Sequence, residues 1–476
     1  VKITSACLNQ NRRKIASLST HTIESAYPFI LVLPQSQTEE LLENALEKNG
    51  TYVERNTALD DIKQSNHSVE VTLKKTTGEI EILNVPYLIG CDGAHSLTRQ
   101  RLNIAFTGED IKEQFLLADV SANMPYPRNQ IQAFGGAKGL MAIFPLPDDM
   151  IRIIASVPHN SIDDSSELSL HELQALIDER SGNQVQLLKS EWSSQFRIHN
   201  RISAQFRQDN VFLLGDACHI HSPAGAQGMN TGMQDAFNLA WKLALVIKKQ
   251  AKPGLLDTYE KERRPVAESI LQTTDKATRL ALNPKKWASF LRLIMIRILA
   301  RSTRLQRKLM ARISELDIKY SKSPIIYYGS TVNRKAPSPG ELAPDVDFID
   351  QRGNPHRLAE LWREPKHHLL IFLGKKSPES ILPEVRALAR QIRLDYPGGI
   401  RIVSISDTST AEQLKYFVDA ACSDNNFYIH QKYRTTNPAI YLLRPDNYIS
   451  FCASDLAIEP LFRAIGKTLT MLPSSA

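Results

Sequence analysis

The residues best equipped for chemistry lie between Val211 and Leu243, VFLLGDACHIHSPAGAQGMNTGMQDAFNLAWKL. An apolar run, Val211 to Leu214, delivers Gly215 and Asp216 at its end. In doubly wound sheets that is where ligands bind, and a carboxylate there accepts hydrogen bonds from sugar or polyol hydroxyls. Pro223 opens a loop of small residues, in which Gly225, Gly228 and Gly232 allow backbone N–H groups to approach a ligand. The loop feeds into a helix. Thr231 and Gln234 have the spacing of a capping box, which sets the N–H groups of Gly228, Met229 and Asn230 at a positive helix end suited to an anion. A loop that merely turns the chain is the competing reading, but it leaves the coincidence of Gly-Asp, proline, three glycines and a capped helix unexplained. His219 and His221 form an H-x-H pair. With no third ligand spaced nearby, local hydrogen bonding is expected there and not a metal.

A second junction of the same type is Leu88-Ile89-Gly90-Cys91-Asp92-Gly93-Ala94-His95-Ser96, with Arg99 three residues on. Alone it reads equally as a tight turn. Paired with the first, it suggests one ligand held by two strand-end acids, Asp92 and Asp216, from distant parts of the chain.

The elements that must carry these residues follow from periodicity. A short strand is expected at Phe29–Leu33 and a helix over Ser36–Lys48, ended by Asn49-Gly50. A further strand should start at Tyr52-Val53. Val69–Leu73, Thr77-Gly78 and Glu79–Leu83 read as a hairpin. Runs at 114–120, 130–134, 140–145 and 151–157 read as strands, and 168–180 as a helix. The long helix after Asn230 would place Met233, Phe237, Ala240, Ala244 and Ile247 on one face. Ala336-Pro337-Ser338-Pro339-Gly340 looks like a linker. Beyond it, strands at His368–Leu373, Ile400–Ser406 and Ala439–Leu443 alternate with helices, an α/β pattern.

Composition bounds the possibilities. The 476 residues are 42% hydrophobic and 23% charged, which excludes a disordered chain, a collagen and a coiled-coil rod. A net charge of +7 is spread over a long chain without an aromatic-interleaved basic face, so nucleic acid is not an expected partner. Cys7, Cys91, Cys218, Cys422 and Cys452 are odd in number and scattered, as reduced intracellular thiols are. No apolar run reaches membrane-spanning length, and a cytoplasmic location is expected. Residues 284–312 carry nine Lys/Arg and no acid. They read either as a contact for acidic lipid or as helices packed by their apolar face, and packing is the expected reading.

With those residues in view, the stretch from about 28 to 330 resembles the class A FAD-dependent aromatic hydroxylases. Leu33-Pro34-Gln35-Ser36-Gln37-Thr38-Glu39-Glu40-Leu41-Leu42 resembles their segment before a helix, and Gly90 to Arg99 their Asp-Gly motif. Gly215 to Asn230 resembles their Gly-Asp motif, and Tyr259-Glu260-Lys261-Glu262-Arg263-Arg264-Pro265 their segment after the long helix. The C-terminal part resembles the thioredoxin-like domain of the phenol and polyketide hydroxylase branch, with Leu443-Arg444-Pro445-Asp446 at a strand end; it lacks C-x-x-C, so no redox role is expected of it.

The resemblance implies FAD as cofactor, NAD(P)H as co-substrate, and insertion of one oxygen atom of O2 into a phenolic or polycyclic aromatic substrate. It also implies a possible homodimer. It assigns the ribityl chain to Asp216, on its Gly215 turn, and the isoalloxazine lining to Gly228, Met229 and Asn230, with Pro223 shaping the loop. Gln35 would meet the ribityl or phosphate region, and Asp92 belongs to a motif linked to FAD and NAD(P)H. No catalytic side chain is implied, because the cofactor carries the hard chemistry. The expected fold is α/β. A Rossmann-like three-layer FAD domain takes residues 1–102 and 206–283, a β-rich α+β substrate domain 103–205, a basic helical segment 284–330, and a thioredoxin-like domain 331–476. No G-x-G-x-x-G occurs in the sequence. The expectation is therefore an FAD domain incomplete at its N-terminus that binds FAD poorly. The rival expectations are a flavin-dependent reductase and a catalytically impaired relic or interaction protein.

Overall fold

The computed structural model describes residues 1–10, 13–136, 139–157, 168–182, 184–222, 227–282, 286–330, 333–349, 354–375 and 381–471. The chain divides into two compact units. One comprises Val1–Thr231 and Ala267–Glu315, the other Gly232–Val266 and Leu316–Ala476.

The first unit is built on an eight-stranded sheet. Its order is His219–Ile220, Gln186–Ser203, Phe106–Asn123, Met150–Val157, Gly139–Pro145, Gln130–Gly136, Ser5–Gln10 and Arg13–Ser19. Period-2 alternation drives it. Ile151, Ile153 and Ala155 point inward at zero exposure and join Leu116, Ala118, Val120, Leu173 and Ile177 in one core. The expected strands at 114–120, 130–134, 140–145 and 151–157 all fall in this sheet. Ser5–Gln10 pairs parallel with Gln130–Gly136, so residues 5–19 share a sheet with 106–203, where the sequence reading grouped them with the cofactor part. Cys7 is the one buried residue of Ser5–Gln10, and Ala16 and Leu18 are the buried residues of Arg13–Ser19, a short apolar signal set in an otherwise polar stretch.

The first unit also holds a three-stranded sheet, Arg207–Gln208, Val211–Leu213 and Leu88–Gly90, and a hairpin sheet of Thr57–Gln64, Val69–Lys75 and Ile80–Val85. Gly78, at φ +89°, makes the hairpin turn. The expected strand at Tyr52-Val53 does not form; both residues are exposed and pairing begins at Thr57. The expected strand at Phe29–Leu33 shortens to Ile30–Leu31, paired with Lys2–Ile3.

Helices are numbered in chain order. α1 is Gln35–Lys48, α2 Leu97–Arg101, α3 Leu170–Ser181, α4 Gly228–Ile247, α5 Asp257–Leu282, α6 Lys286–Arg301 and α7 Thr303–Ile313. α3 begins at a capping box between Ser169 and Glu172 and ends at Gly182 in the left-handed region. α1 has no buried residue.

The second unit contains a six-stranded sheet ordered Tyr327–Tyr328, Ile449–Ala453, Ala439–Leu443, His367–Phe372, Ile400–Ser406 and Ala420–Ser423. His367–Phe372, Ile400–Ser406 and Ala420–Ser423 run parallel. The central strands are buried on both faces, which is why they read as continuous apolar runs. The expected linker at 336–340 is tied into this unit: Gly340 N–H donates to Ile449 O at 2.7 Å and Gly340 O accepts from Tyr320 N–H at 2.8 Å. Gly340 sits at φ +90°, and a Cβ there would meet Ser321 backbone at 2.8 Å.

Two of the sequence segments quoted above meet in this unit. Arg444 grips Glu262 through Nη1 and Nη2 at 2.6 and 2.8 Å and also bonds Asp446. Glu262 accepts further bonds from Asn238 Nδ2 at 2.7 Å, Lys242 Nζ at 2.8 Å and Ser323 Oγ. Trp241 Nε1 donates to Asp446 at 3.0 Å, and Arg263 Nε donates to Asp235 at 2.6 Å. These charges are wholly buried and balanced in sign. Burial opposes ionisation of Glu262, yet Arg444 and Lys242 hold its carboxyl far below the usual range.

Candidate functional site

The two strand-end acids are brought together by the three-stranded sheet. Leu88–Gly90 and Val211–Leu213 are adjacent and parallel, with Gly90 opposite Leu213, and Leu214 N–H donates to Gly90 O at 3.0 Å. Parallel pairing puts both carboxyl ends on the same edge, so the Cys91-Asp92-Gly93 and Gly215-Asp216-Ala217 turns emerge side by side. Gly90 is required there, because a Cβ would lie 2.8 Å from Thr98 Cβ. Gly215 turns the chain at φ +56°.

The two aspartates do different work. Asp92 is committed to its own turn. Ser96 Oγ donates to Oδ1 at 2.5 Å, and Thr98 N–H and Oγ1 donate to Oδ2, each at 2.9 Å. Partial burial opposes its charge, but those hydrogen bonds lower its pKa below the ordinary value. Asp216 is exposed, and its carboxylate has no hydrogen bond among the described residues. It remains open to accept hydroxyl donors from a ligand.

Arg99 holds the two turns in register. It is buried, donates from Nη1 to Ala217 O and from Nη2 to Ala94 O, both at 2.8 Å, and lies 3.9 Å above the Phe106 ring. Burial lowers its pKa, with Asp92 opposing. The sequence showed Arg99 near the second motif but carried no sign that it reaches the first.

α4 begins at Gly228, so Gly228, Met229 and Asn230 form its first turn and their N–H groups lack intrahelical acceptors. Met229 and Asn230 are exposed. The expected capping box is not formed. Thr231 lies inside the helix, where its hydroxyl donates to Gln227 O at 3.0 Å and to Glu315 Oε1 at 2.7 Å, and Gln234 Oε1 accepts from Arg263 at 3.3 Å. The helix starts earlier than the motif spacing suggested because Gln227 is fixed from outside: its Nε2 donates to Arg312 O at 2.9 Å.

The chain leading to this turn is held by residues that sequence reading did not single out. Asn200 Oδ1 accepts from Ser222 N–H at 3.1 Å, and Thr278 Oγ1 donates to Ser222 Oγ at 3.0 Å. His221 bonds Ser222 O through Nδ1 at 2.9 Å and is held below its usual pKa by burial; His219 is buried against Phe206. The local hydrogen bond expected of this pair is present at His221. Pro223 and Gly225 lie outside the described residues. Gln35 opens α1, and its amide donates to Glu39 at 2.8 Å; no hydrogen bond among the described residues joins it to the strand-end turns.

The arrangement offers a carboxylate acceptor, two glycine-lined turns and an open helix N-terminus. That set suits a ligand with hydroxyls and an anionic polar edge. The profile of the family described as "FAD binding domain" matches residues 3–274. An uncharacterised aromatic compound monooxygenase of Bacillus subtilis is 34% identical over 71% of this chain and 66% of its own length. The 6-methylpretetramide 4-monooxygenase of Streptomyces rimosus is 33% identical over 74% of this chain and 63% of its own. Among solved structures, the anhydrotetracycline hydroxylase of Streptomyces rimosus superposes with a TM-score of 0.74 at 26% identity, covering 98% of this chain and 86% of that one. The chain thus spans somewhat under two thirds of the length of these two curated relatives.

Proposed function

The chain belongs to the FAD-binding-domain family of class A flavoprotein aromatic hydroxylases, and from that premise we propose that it binds FAD at the paired strand-end turns. The reaction proposed is hydroxylation of a phenolic or polycyclic aromatic compound with NAD(P)H and O2. The observation that carries this reading is the side-by-side placement of the two turns with Asp216 left open. Two relatives support the substrate class, one named as an aromatic compound monooxygenase and the other as a 6-methylpretetramide 4-monooxygenase.

When bound, FAD supplies the redox and oxygen chemistry. In this reading Asp216, on the Gly215 turn, accepts the ribityl hydroxyls, and the first-turn N–H groups of Gly228, Met229 and Asn230 stabilise the negative polar edge of the reduced ring. Asp92 acts by shaping its turn, Gln35 meets the ribityl or phosphate region, and Pro223 shapes the loop before α4. The flavin part comprises 1–102 and 206–283, with residues 5–19 lending strands to the substrate sheet of 103–205; the helical segment covers 284–330. Residues 331–476 form a thioredoxin-like domain without a redox role. A cytoplasmic homodimer is the form proposed.

These 476 residues hold no G-x-G-x-x-G, and we propose that by themselves they grip flavin at its ring and ribityl end, and only weakly. The test is to add FAD, or riboflavin, to the purified chain and titrate the flavin band near about 450 nm. Weak binding of both, with affinities within about tenfold of one another, together with phenol-stimulated NAD(P)H oxidation, is the expected result. Tight retention of FAD but not riboflavin would overturn the weak-grip statement. No binding of either flavin overturns the site. Oxidation of NAD(P)H without oxygen insertion points to a reductase.

A further inference from the structure

α6 and α7 are held by one side and bare on the other. Met310 and Gln306 are buried, and Gln306 Nε2 donates to Ala300 O at 2.9 Å. That much agrees with the packing expected of this stretch. The opposite side does not. Met295 and Ile298 are 55% and 54% exposed, and Ile294 and Leu305 are 38% and 40% exposed. Ile294, Met295 and Ile298 fall at i, i+1 and i+4, which places them on one stripe of α6. Exposed Arg297, Arg301, Arg304 and Lys308 flank them, and among the described residues none of these four is in an ion pair. Arg307 reaches Glu24 at 3.3 Å in a solvent-exposed contact. No Asp or Glu occurs between Asp275 and Glu315.

We propose that the α6–α7 face seats this chain on an anionic lipid surface. The inference stands on this face alone and does not depend on the flavin reading. A contiguous apolar strip outside a core marks an interaction site, and its chemistry selects the partner. Unpaired cations without a single acid in the stretch are attracted to a negative surface. Exposed isoleucine, methionine and leucine gain by entering the acyl boundary, which a nucleic-acid backbone cannot offer. Among the described residues no helix is long and apolar enough to cross a membrane, so the mode is a helix pair lying in the plane of the interface.

The test is co-sedimentation of the full chain with vesicles of phosphatidylcholine, alone or with about 30% phosphatidylglycerol. Binding is expected for the anionic vesicles and not for the neutral ones, weakening at least about tenfold between about 0.1 and about 0.5 M NaCl. The pairs Met295→Glu/Ile298→Glu and Arg297→Gln/Arg304→Gln should each weaken it by about tenfold or more. Leu41→Glu/Leu42→Glu, at exposed leucines of α1, should leave it unchanged. All the altered side chains are exposed, so unshifted thermal midpoints show that the variants fold. Equal binding to neutral vesicles, no binding at low salt, or indifference to both α6–α7 pairs overturns the proposal. So does duplex DNA binding that survives Met295→Glu/Ile298→Glu in the absence of vesicle binding, or a self-association that those substitutions abolish in its place.

Discussion

Asp92 and Asp216 stand in near-mirror contexts, Cys-Asp-Gly and Gly-Asp-Ala, yet the structure gives one three donors and leaves the other open. Their substitutions should therefore separate. Asp216→Asn should weaken flavin binding by roughly tenfold or more, the size of one charge-assisted hydrogen bond, with the urea midpoint unchanged. Asp92→Ala should cost about 1–3 kcal/mol of stability, because Ser96 and the Thr98 N–H lose their acceptor. Flavin titration and urea unfolding of both variants check the pair. The thiols offer a second contrast. Cys91 is exposed, while Cys7, Cys218, Cys422 and Cys452 are buried, and burial pushes Cys422 and Cys452 up to about 12. A native-state thiol titration should consume one equivalent, at Cys91.

α4 shows how a face can be legible while its direction is not. Helical spacing set Met233, Phe237, Ala240, Ala244 and Ile247 on one face, and all five are exposed. The buried face is Asp235, Asn238, Leu239, Trp241, Lys242 and Val246. Periodicity assumes that burial selects apolar side chains. Here polar groups are buried because Glu262, Arg263 and Asp446 satisfy them. Two outcomes follow for chemical denaturation. Phe237→Ser should shift stability by no more than about 0.5 kcal/mol. Glu262→Ala should cost about 3–5 kcal/mol, since it strands Arg444 and Lys242 in the interior. α1 repeats the lesson: its leucine spacing located the helix within one residue, although none of those leucines is buried.

At the scale of the molecule, the second unit carries a pH liability. His367 and His368 are fully buried, and none of their ring nitrogens has a hydrogen-bond partner among the described residues. Burial holds them neutral, with values of about 3 and about 4; Arg444 beside the first and Arg401 beside the second push the same way. The unfolded chain takes up these protons near pH 6.5, and the folded chain does so only near 4 and 3. Stability is therefore complete above about pH 6.5 and falls as the pH drops. At pH 5 the loss is about 2 kcal/mol for each histidine, 1.5 pH units at about 1.4 kcal/mol per unit. Urea midpoints between pH 7 and 5 should fall accordingly, ahead of the range where Glu262 protonates. The slope should flatten in His367→Leu/His368→Leu.

By itself the sequence determined most strands and helices, since period-2 and helical spacing are local properties of the chain. It also determined both strand-end motifs, because glycine and aspartate at those turns answer local demands of backbone and charge. Tertiary structure alone decided that strands ending at Gly90 and Leu213 lie side by side, that Arg99 spans their turns, and that residues 5–19 join the large sheet. It alone decided which face of α4 is inward. Those outcomes depend on partners more than a hundred residues away, or on polar groups whose burial is tolerable only once the partner is in place, and no spacing along the chain encodes that.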